Sequence, residues 1–356
     1  MKTTSAQRDS GRPAANGKPV VSATKAPGDA LATLRSFGQH SSGFLALNSG
    51  NEYFTVDGSS GMIVYRPHGR RYWVQFAGPI AAPEECELLE QSFAAAAARQ
   101  RRRIIGVQLL RADAERAARN GYIVNQFGCS YSIDLSQFSM TGRKWHSIRN
   151  MIARSRREGI TVSEANPERQ AQPEFIDRLA EMDAAWLRSK GWHAKELRFL
   201  IGERGGVFQE HRRVFVAEQD GQPIAYQTYS PVFGAQSGWL GDLERRLPGA
   251  PPGAADHIFA EAAQQFRDEG AGWVHLGLTP FVGIDPAHAV DGGSSAAVTK
   301  AIELARKHGA ALYPAESQLA FKLKWRPHVI TPEYIAFPGG PRVRDVWSLA
   351  RVTNAL

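Results

Sequence analysis

The sequence predicts an α/β (α+β) fold made of two successive units, and three observations carry that expectation. Short alternating apolar segments closed by Gly-containing turns lead into an Ala-rich helix and then an apolar strand. The same order of strands, helix and strand returns in the second half, as a duplicated architecture would require. At 356 residues the chain is also long for one compact domain, and each half is large enough to bury a core of its own.

The elements follow in order. Met1 to Asp29 is rich in Ser, Ala, Gly, Pro, Lys and Arg and almost without large apolar side chains, so burial cannot offset the entropy of ordering it. A disordered tail is expected over 1–30. Gly43 to Leu47, Tyr53 to Val56, Gly61 to Tyr65 and Tyr72 to Phe76 read as short strands. Pro83, Glu84 and Glu85 suit the positive end of a helix dipole and open a helix that runs to Arg101. Ile104 to Leu109 reads as a strand, Asp113 to Asn120 as a short helix, Tyr131 to Leu135 as a strand.

In the second half, Phe175, Ile176, Leu179, Met182 and Trp186 repeat near 3.6 residues and predict an amphipathic helix over Pro173 to Lys190. Val214 to Gln219 and Pro223 to Tyr229 form a hairpin across Asp220-Gly221. A strand at Ser237 to Gly241, a Pro/Gly-rich turn, a helix from Ala255 to Gly270 and a strand at Trp273 to Leu278 come next. A helix over Ser294 to His308 and a strand at Tyr334 to Phe337 complete the reading.

Composition narrows the function. The hydrophobic fraction of 43% and charged fraction of 22% are those of a globular protein. No segment has the apolar core of a signal peptide or the length to span a bilayer, so a cytoplasmic location is expected. The two cysteines, Cys86 and Cys129, form no CxxC pair and no zinc-ligand spacing, so no metal is expected. A net charge of +8, from 43 basic against 35 acidic side chains, favours a polyanionic partner. The charge is concentrated: between Gly142 and Glu158 stand Arg143, Lys144, Arg149, Arg154, Arg156 and Arg157 against the single acid Glu158.

Four segments then carry a resemblance. They are Asp134-Leu-Ser-Gln-Phe-Ser139 with Gly142-Arg-Lys and the basic helix to Gly159; Gly241-Asp-Leu-Glu-Arg-Arg246 with Pro248, Ala250-Pro-Pro-Gly253 and Asp256; Leu276-Gly-Leu-Thr-Pro280 with Gly283; and Phe321-Lys-Leu-Lys-Trp325 with Pro332-Glu-Tyr334. In this order, over about residues 40 to 340, they resemble the C-terminal catalytic domain of bacterial phosphatidylglycerol lysyltransferases, a family of two tandem GNAT folds that use aminoacyl-tRNA. The chain departs from that pattern at Pro314-Ala-Glu-Ser-Gln318 and over Asp285 to Ala297, and the membrane-spanning portion of the lipid-modifying enzymes is absent from it.

The resemblance implies an N-terminal GNAT-like domain over 31–140, a basic connecting helix over 141–160 and a catalytic GNAT-like domain over 161–356. It implies an aminoacyltransferase with aminoacyl-tRNA as co-substrate and no other cofactor. The expected acceptor is a small soluble amine, hydroxylamine or hydroxyl compound, because neither a membrane domain nor an amphipathic anchor is evident and membrane contact is therefore not favoured. The alternatives are phosphatidylglycerol at a membrane surface, an acetyl-CoA-dependent GNAT enzyme, and a non-catalytic tRNA- or membrane-binding module. Acetyl transfer is disfavoured by Leu247-Pro-Gly-Ala-Pro-Pro-Gly253, whose prolines lack the N–H groups that a pyrophosphate cradle needs.

The candidate site follows. Transfer from an activated ester needs orientation, proton movement and stabilisation of a tetrahedral oxyanion, and no nucleophilic residue, which fits the absence of a GxSxG elbow. Asp242 and Asp256, separated by one turn, are expected to reach one cleft and hold the donor α-ammonium or take a proton. Their bland readings are a helix N-cap for Asp256 and an ion pair with Arg245 or Arg246 for Asp242. Lys322 and Lys324 would share one face of a strand, either merely solvated or with one lysine and Arg326 meeting the phosphate or ribose of the tRNA end; Lys324 is the catalytic candidate of the two, and Lys322, Arg326 and Arg246 are grouped as substrate-binding. Trp325 is either core or a platform for the terminal adenine. Arg143, Arg154 and Arg157, with Lys144 and Arg149 beside them, form a cationic ridge for tRNA phosphate behind an apolar stripe of Trp145, Ile148 and Ile152.

Overall fold

A computed structural model describes residues 27–190, 195–308 and 315–355. The first half runs α1 (Pro27–Phe37), β1 (Glu52–Phe54), β2 (Met62–His68), β3 (Tyr72–Ile80), α2 (Cys86–Arg99), β4 (Arg103–Leu109), α3 (Arg111–Arg119) and β5 (Tyr122–Asp134). The second runs α4 (His146–Arg157), β6 (Ile160–Ala165), α5 (Pro167–Gln170), α6 (Pro173–Ser189), β7 (Arg213–Gln219), β8 (Gln222–Val232), β9 (Gly238–Arg246), α7 (Ala254–Asp268), β10 (Trp273–Pro280), α8 (Ala296–His308), α9 (Ala315–Lys324), β11 (Val329–Pro338) and α10 (Val343–Val352). The expected mixed α/β fold is what the chain adopts, with helices on both faces of the strands.

All strands join one 11-stranded sheet in the order β1-β2-β3-β4-β11-β5-β10-β9-β8-β7-β6. Each half supplies an antiparallel series that ends on a parallel pair, β3 with β4 and β9 with β10. The last strand of each half then crosses to the other: β11 lies against β4, β5 lies against β10, and β5 and β11 pair with each other through ten residues from Val329↔Ser132 to Pro338↔Tyr122. The two halves are therefore stitched through the middle of the sheet rather than docked at an edge.

In both halves the parallel pair separates after a short ladder. β3 and β4 part after Phe76↔Val107, where Ala77 and Gln108 adopt φ of 55° and 53°. β9 and β10 part after Leu240↔His275, next to a bulge that sets Asp242 and Leu243 of β9 opposite the single residue Thr228 of β8. Backbone groups beyond each separation leave the ladder, so both openings are gaps in the sheet where side chains and ligands can approach main chain.

Several expectations are corrected. Gly43 to Leu47 is a buried 3-10 helix, not a strand. The Phe321–Trp325 element closes helix α9 and is not a strand, because five alternating residues fit both periods. Asp242 lies inside β9, which continues to Arg246, rather than at its end. β6, α1 and α10 were not anticipated; β6 is a sheet-edge strand whose outward positions are polar, so it carries little apolar signal. Of the expected tail, residues 1–26 lie outside the described residues, and Pro27 to Asp29 open α1.

The crossed strands generate a prediction. Expressed separately, segments 27–140 and 141–355 each expose an unpaired central strand, so neither is expected to show a cooperative melt alone, while co-expression should restore one. Independent cooperative unfolding of both pieces, followed by circular dichroism, would contradict the interlock.

Candidate active site

Pairing across the central strands places a row of polar side chains on one face of the sheet. Glu333 of β11 stands opposite Gly128, and Ser130 and Ser132 of β5 alternate on that same face. Ser132 faces His275 of β10, His275 faces Leu240 of β9, and Leu240 faces Ser230 of β8. Asp242 joins this face through the bulge. The opposite face at the same strands is apolar, where Tyr131, Ile133, Val274 and Tyr229 pack beneath α7.

A roof covers the polar row. It is made by residues 38–48, which follow α1, and by residues 199–212, and the two are tied by Asn48 Nδ2 donating to Ile201 O at 2.8 Å and by Arg212 donating to Asn48 Oδ1 at 3.2 Å. Arg212 lies over the Phe44 ring at 5.1 Å and brings its Nε to 3.9 Å from Asp242 Oδ2, with both side chains 1% exposed. Gly202 is required beneath this roof, since a Cβ there would stand 2.4 Å from that of Asp242. At the other end His40 Nε2 sits 3.7 Å from Glu333 Oε1, which also accepts from Ser130 Oγ.

Buried polar atoms in folded proteins are nearly always hydrogen-bonded. Among the described residues neither oxygen of Asp242 has a hydrogen-bond partner at full hydrogen-bond geometry, nor do Arg212 Nε, Ser230 Oγ, Glu333 Oε2 or His40 Nε2, although Ser230 lies close enough to Asp242 to favour its charged form. Such a concentration marks a place prepared for groups from outside. Burial pushes the Asp242 carboxyl up to about 6 against the opposing pull of Arg212, and burial also raises Glu333. His275 is held neutral: burial lowers it to about 4, and because Gln236 O can only accept, Nε2 carries the hydrogen and Nδ1 accepts from Ser132.

The expected site residues separate into groups. Asp242 is on the roofed face, and its cationic neighbour is Arg212, not Arg245 or Arg246. Arg245 turns to the other side of the bulge and stacks on Trp186 at 4.1 Å, while Arg246 is exposed. Asp256 lies in the first turn of α7, whose N-cap is Gly253, so it is not the cap. It pairs with Lys324 and neighbours Glu244, on the α7 side of the sheet. Asp242 and Asp256 therefore do not reach one cleft, because alternation along β9 sends Asp242 and Glu244 to opposite faces once the bulge is counted.

Lys322 and Lys324 also part company on the helix. Lys322 is buried, donates to Gly277 O at 2.8 Å and Leu278 O at 2.9 Å in the gap beyond the β9/β10 ladder, and is lowered by burial to about 7, with Glu333 opposing. Trp325 is fully buried against Phe259, Trp145 and Phe138, which leaves its ring no open face. Arg326 is exposed at φ 52°. Across α4 and the 3-10 turn before it (Arg143–Trp145), the stripe of Trp145, Ile148 and Ile152 is buried and Arg143, Lys144, Arg149, Arg154 and Arg157 are exposed. Arg154 pairs with Glu158 at 2.7 Å and Arg149 donates to Met140 O and Gly142 O, so part of the ridge is internally satisfied. α4 packs on α7, the face opposite the polar row.

Sequence reasoning missed Arg212, Glu333, His40 and Ser230. Ser230 and Glu333 are brought together by the register of the strands, and His40 and Arg212 by the roof that folds over them. Glu333 alone stood inside a quoted segment, Pro332-Glu-Tyr334.

Comparison with known proteins places these features in a family. A family model described as phosphatidylglycerol lysyltransferase, C-terminal, matches residues 31–337. A phosphatidylglycerol lysyltransferase of Bacillus subtilis (strain 168) is 24% identical over 237 residues, 66% of this chain and 26% of that protein. The MprF-like domain protein Rv1619 of Mycobacterium tuberculosis is 25% identical over 152 residues, 42% of this chain and 30% of that protein. The chain thus spans under a third of the length of these relatives. Among solved structures, L-PGS from Bacillus licheniformis aligns with a TM-score of 0.74 at 21% identity, over 93% of this chain and 97% of that one. A C-terminal domain assigned to a lysylphosphatidylglycerol synthetase of Agrobacterium fabrum aligns at 0.72 and 24% identity, over 92% and 95%. These two share the fold.

The environment of Lys322 has a measurable consequence. Its folded value lies below the unfolded one, so between about pH 7 and the ordinary lysine range the unfolded chain holds the extra proton and stability rises with pH. Lys322→Met should remove this contribution: the variant's stability relative to wild type should be most favourable near pH 7 and decline towards pH 10. Denaturant melts showing a pH-independent difference would contradict a buried, depressed amine.

Proposed function

Because this chain belongs to the phosphatidylglycerol lysyltransferase C-terminal family, we propose that it transfers an amino acid from an aminoacyl-tRNA to an acceptor hydroxyl, with phosphatidylglycerol as the acceptor. The observation that carries this reading is Asp242: a carboxylate buried in an ion pair with Arg212, with neither oxygen hydrogen-bonded among the described residues. An aminoacyl ester brings an α-ammonium group, and a buried anion with vacant acceptor positions is what holds an ammonium out of water.

The reaction is a direct acyl exchange. The acceptor oxygen attacks the ester carbonyl, the bond to the tRNA ribose oxygen breaks, and the acceptor's proton passes to that ribose oxygen. Asp242 fixes the ammonium and so the carbonyl beside it; Ser230 Oγ and Arg212 Nε, both without hydrogen-bond partners, are the donors available to the same region. Lys322, poised near neutrality beside two strand carbonyls, is placed to exchange a proton in the gap between β9 and β10. The Asp256–Lys324 pair braces α9 against α7 and supports the wall of that gap.

Two features speak against the acetyl-CoA alternative. Pro248, Pro251 and Pro252 lack N–H groups before α7. The N-terminus of α7 is also covered, since Met151 O of α4 lies 2.4 Å from where a Cβ on Gly253 would stand. The exposed residues of α4 remain the proposed contact for tRNA phosphates, which position without reading sequence.

Four outcomes test this reading. Asp242→Asn, which keeps volume and removes charge, should lower kcat/KM for aminoacyl transfer by about 10- to 100-fold, the worth of a charged hydrogen bond, while tRNA affinity stays near wild type. Because Asp242 must be ionised to hold an ammonium, wild-type kcat/KM should fall as pH drops through about 6, and the Asn variant should lose that limb. Arg143→Ala with Arg157→Ala should flatten the slope of log affinity for tRNA against log salt by about one per lost phosphate contact; an unchanged slope removes α4 from the tRNA site. Supplying charged tRNA with phosphatidylglycerol vesicles and, separately, with a cytosolic metabolite fraction decides the acceptor: product from the soluble fraction alone would install the small-molecule acceptor expected from sequence.

A further inference from the structure

Helix α10 buries a largely polar face and leaves its apolar face uncovered. Asp345, Ser348 and Val352 turn inward and are buried. Val343, Val346 and Trp347, at the i, i+3 and i+4 positions of the opposite face, are 88%, 59% and 51% exposed, so three large apolar side chains stand together in solvent. Isolated exposed apolar residues need no explanation, but a contiguous stripe that includes an aromatic residue does.

The charge around this stripe has one sign. Arg342, Arg344 and Arg351 are the helix's own exposed bases, and Asp345, its single acid, is turned inward and held by Arg103 at 2.9 Å. The β2–β3 turn delivers more. His68 lies 6.0 Å from the Trp347 ring, and the next residues after Gly69 are the exposed Arg70 and Arg71. Arg102 reaches Gly69 O, which fixes a further guanidinium beside the same turn.

We infer that the outward face of α10, with the β2–β3 turn, docks on an anionic lipid bilayer, Val343 and Trp347 entering the interface and the flanking arginines meeting lipid phosphates. An interfacial helix requires this combination of exposed apolar side chains and a basic rim. Arginine at the rim attracts anionic headgroups, an attraction that salt screens. A second copy of the chain would set arginine against arginine. The segment 1–26 is itself basic, with Lys2, Arg8, Arg12, Lys18 and Lys25 against Asp9, and is repelled likewise. Nucleic acid would satisfy the arginines but would leave Val343 and Val346 in water. No amphipathic anchor is evident from the sequence, because the outer face of this helix mixes valine and tryptophan with arginine.

The test needs neither donor nor transfer, so it stands or falls separately from the reaction. Full-length protein is floated with vesicles of phosphatidylcholine containing phosphatidylglycerol, and with vesicles of phosphatidylcholine alone, at about 0.1 M salt. Wild type should float with the anionic vesicles and much less with the neutral ones. Val343→Glu with Trp347→Glu should cut flotation at least tenfold while the thermal melt stays unchanged, because both side chains are solvent-exposed; Arg342→Ala with Arg344→Ala should weaken it and make it less salt-sensitive. Equal flotation of the Glu variant, or none by wild type, overturns the inference. So does loss of tRNA binding in the Glu variant without vesicle binding in the wild type, which would assign the face to RNA, and a concentration-dependent dimer that the Glu variant abolishes, which would assign it to a second copy.

Discussion

The exchange of β5 and β11 at the middle of the sheet is the constraint on which the rest of the molecule depends. Their antiparallel pairing, continued into β4 on one side and β10 on the other, makes one rigid floor from two units. It also sets the register that brings Glu333, Ser130, Ser132 and His275 onto a single face. A shift of one residue in either strand would turn those side chains under α7 and send Tyr131 and Ile133 into the polar roof. The polar row is thus bound to topology and cannot be moved by local change.

Given that floor, the energetics of the site follow from burial. A carboxylate such as Asp242 is costly where water cannot reach it, and the single cation at 3.9 Å does not fully compensate, which is why its proton affinity rises. The same desolvation lowers Lys322 and keeps His275 neutral. Opposite shifts in an acid and an amine near one gap in the sheet leave both able to change protonation close to neutral pH, the condition under which proton exchange with substrate is efficient. Stability is given up locally, and the interlocked strands and the two apolar layers beneath α7 and α6 supply it elsewhere.

Much of this was legible in the sequence, and the boundary is physical. Spacing near 3.6 located α6, which buries one face against a core, and short apolar runs located β3, β4 and β7, which are buried on both faces. Asp242 could be singled out from its segment, and the stripe of Trp145, Ile148 and Ile152 was read correctly from spacing. What failed was long-range. Nothing near Arg212 or His40 in sequence signals a partner; their roles arise from a roof that folds back across strands far along the chain. The Phe321–Trp325 alternation suggested a strand because five residues cannot separate the two periods. The bulge at Asp242–Leu243 then reversed the facing of everything after it, which is why Asp242 and Asp256 were expected together and lie apart.

The central claim is that the roofed polar row is a receptor for a cationic aminoacyl group. A crystal structure of the protein with a non-hydrolysable aminoacyl-adenosine amide tests it most directly. The account predicts the ligand's α-ammonium within hydrogen-bonding distance of an Asp242 oxygen, with Arg212 and Ser230 turned towards the amide carbonyl. A ligand bound elsewhere, with both Asp242 oxygens still unpartnered beneath the roof, would contradict it.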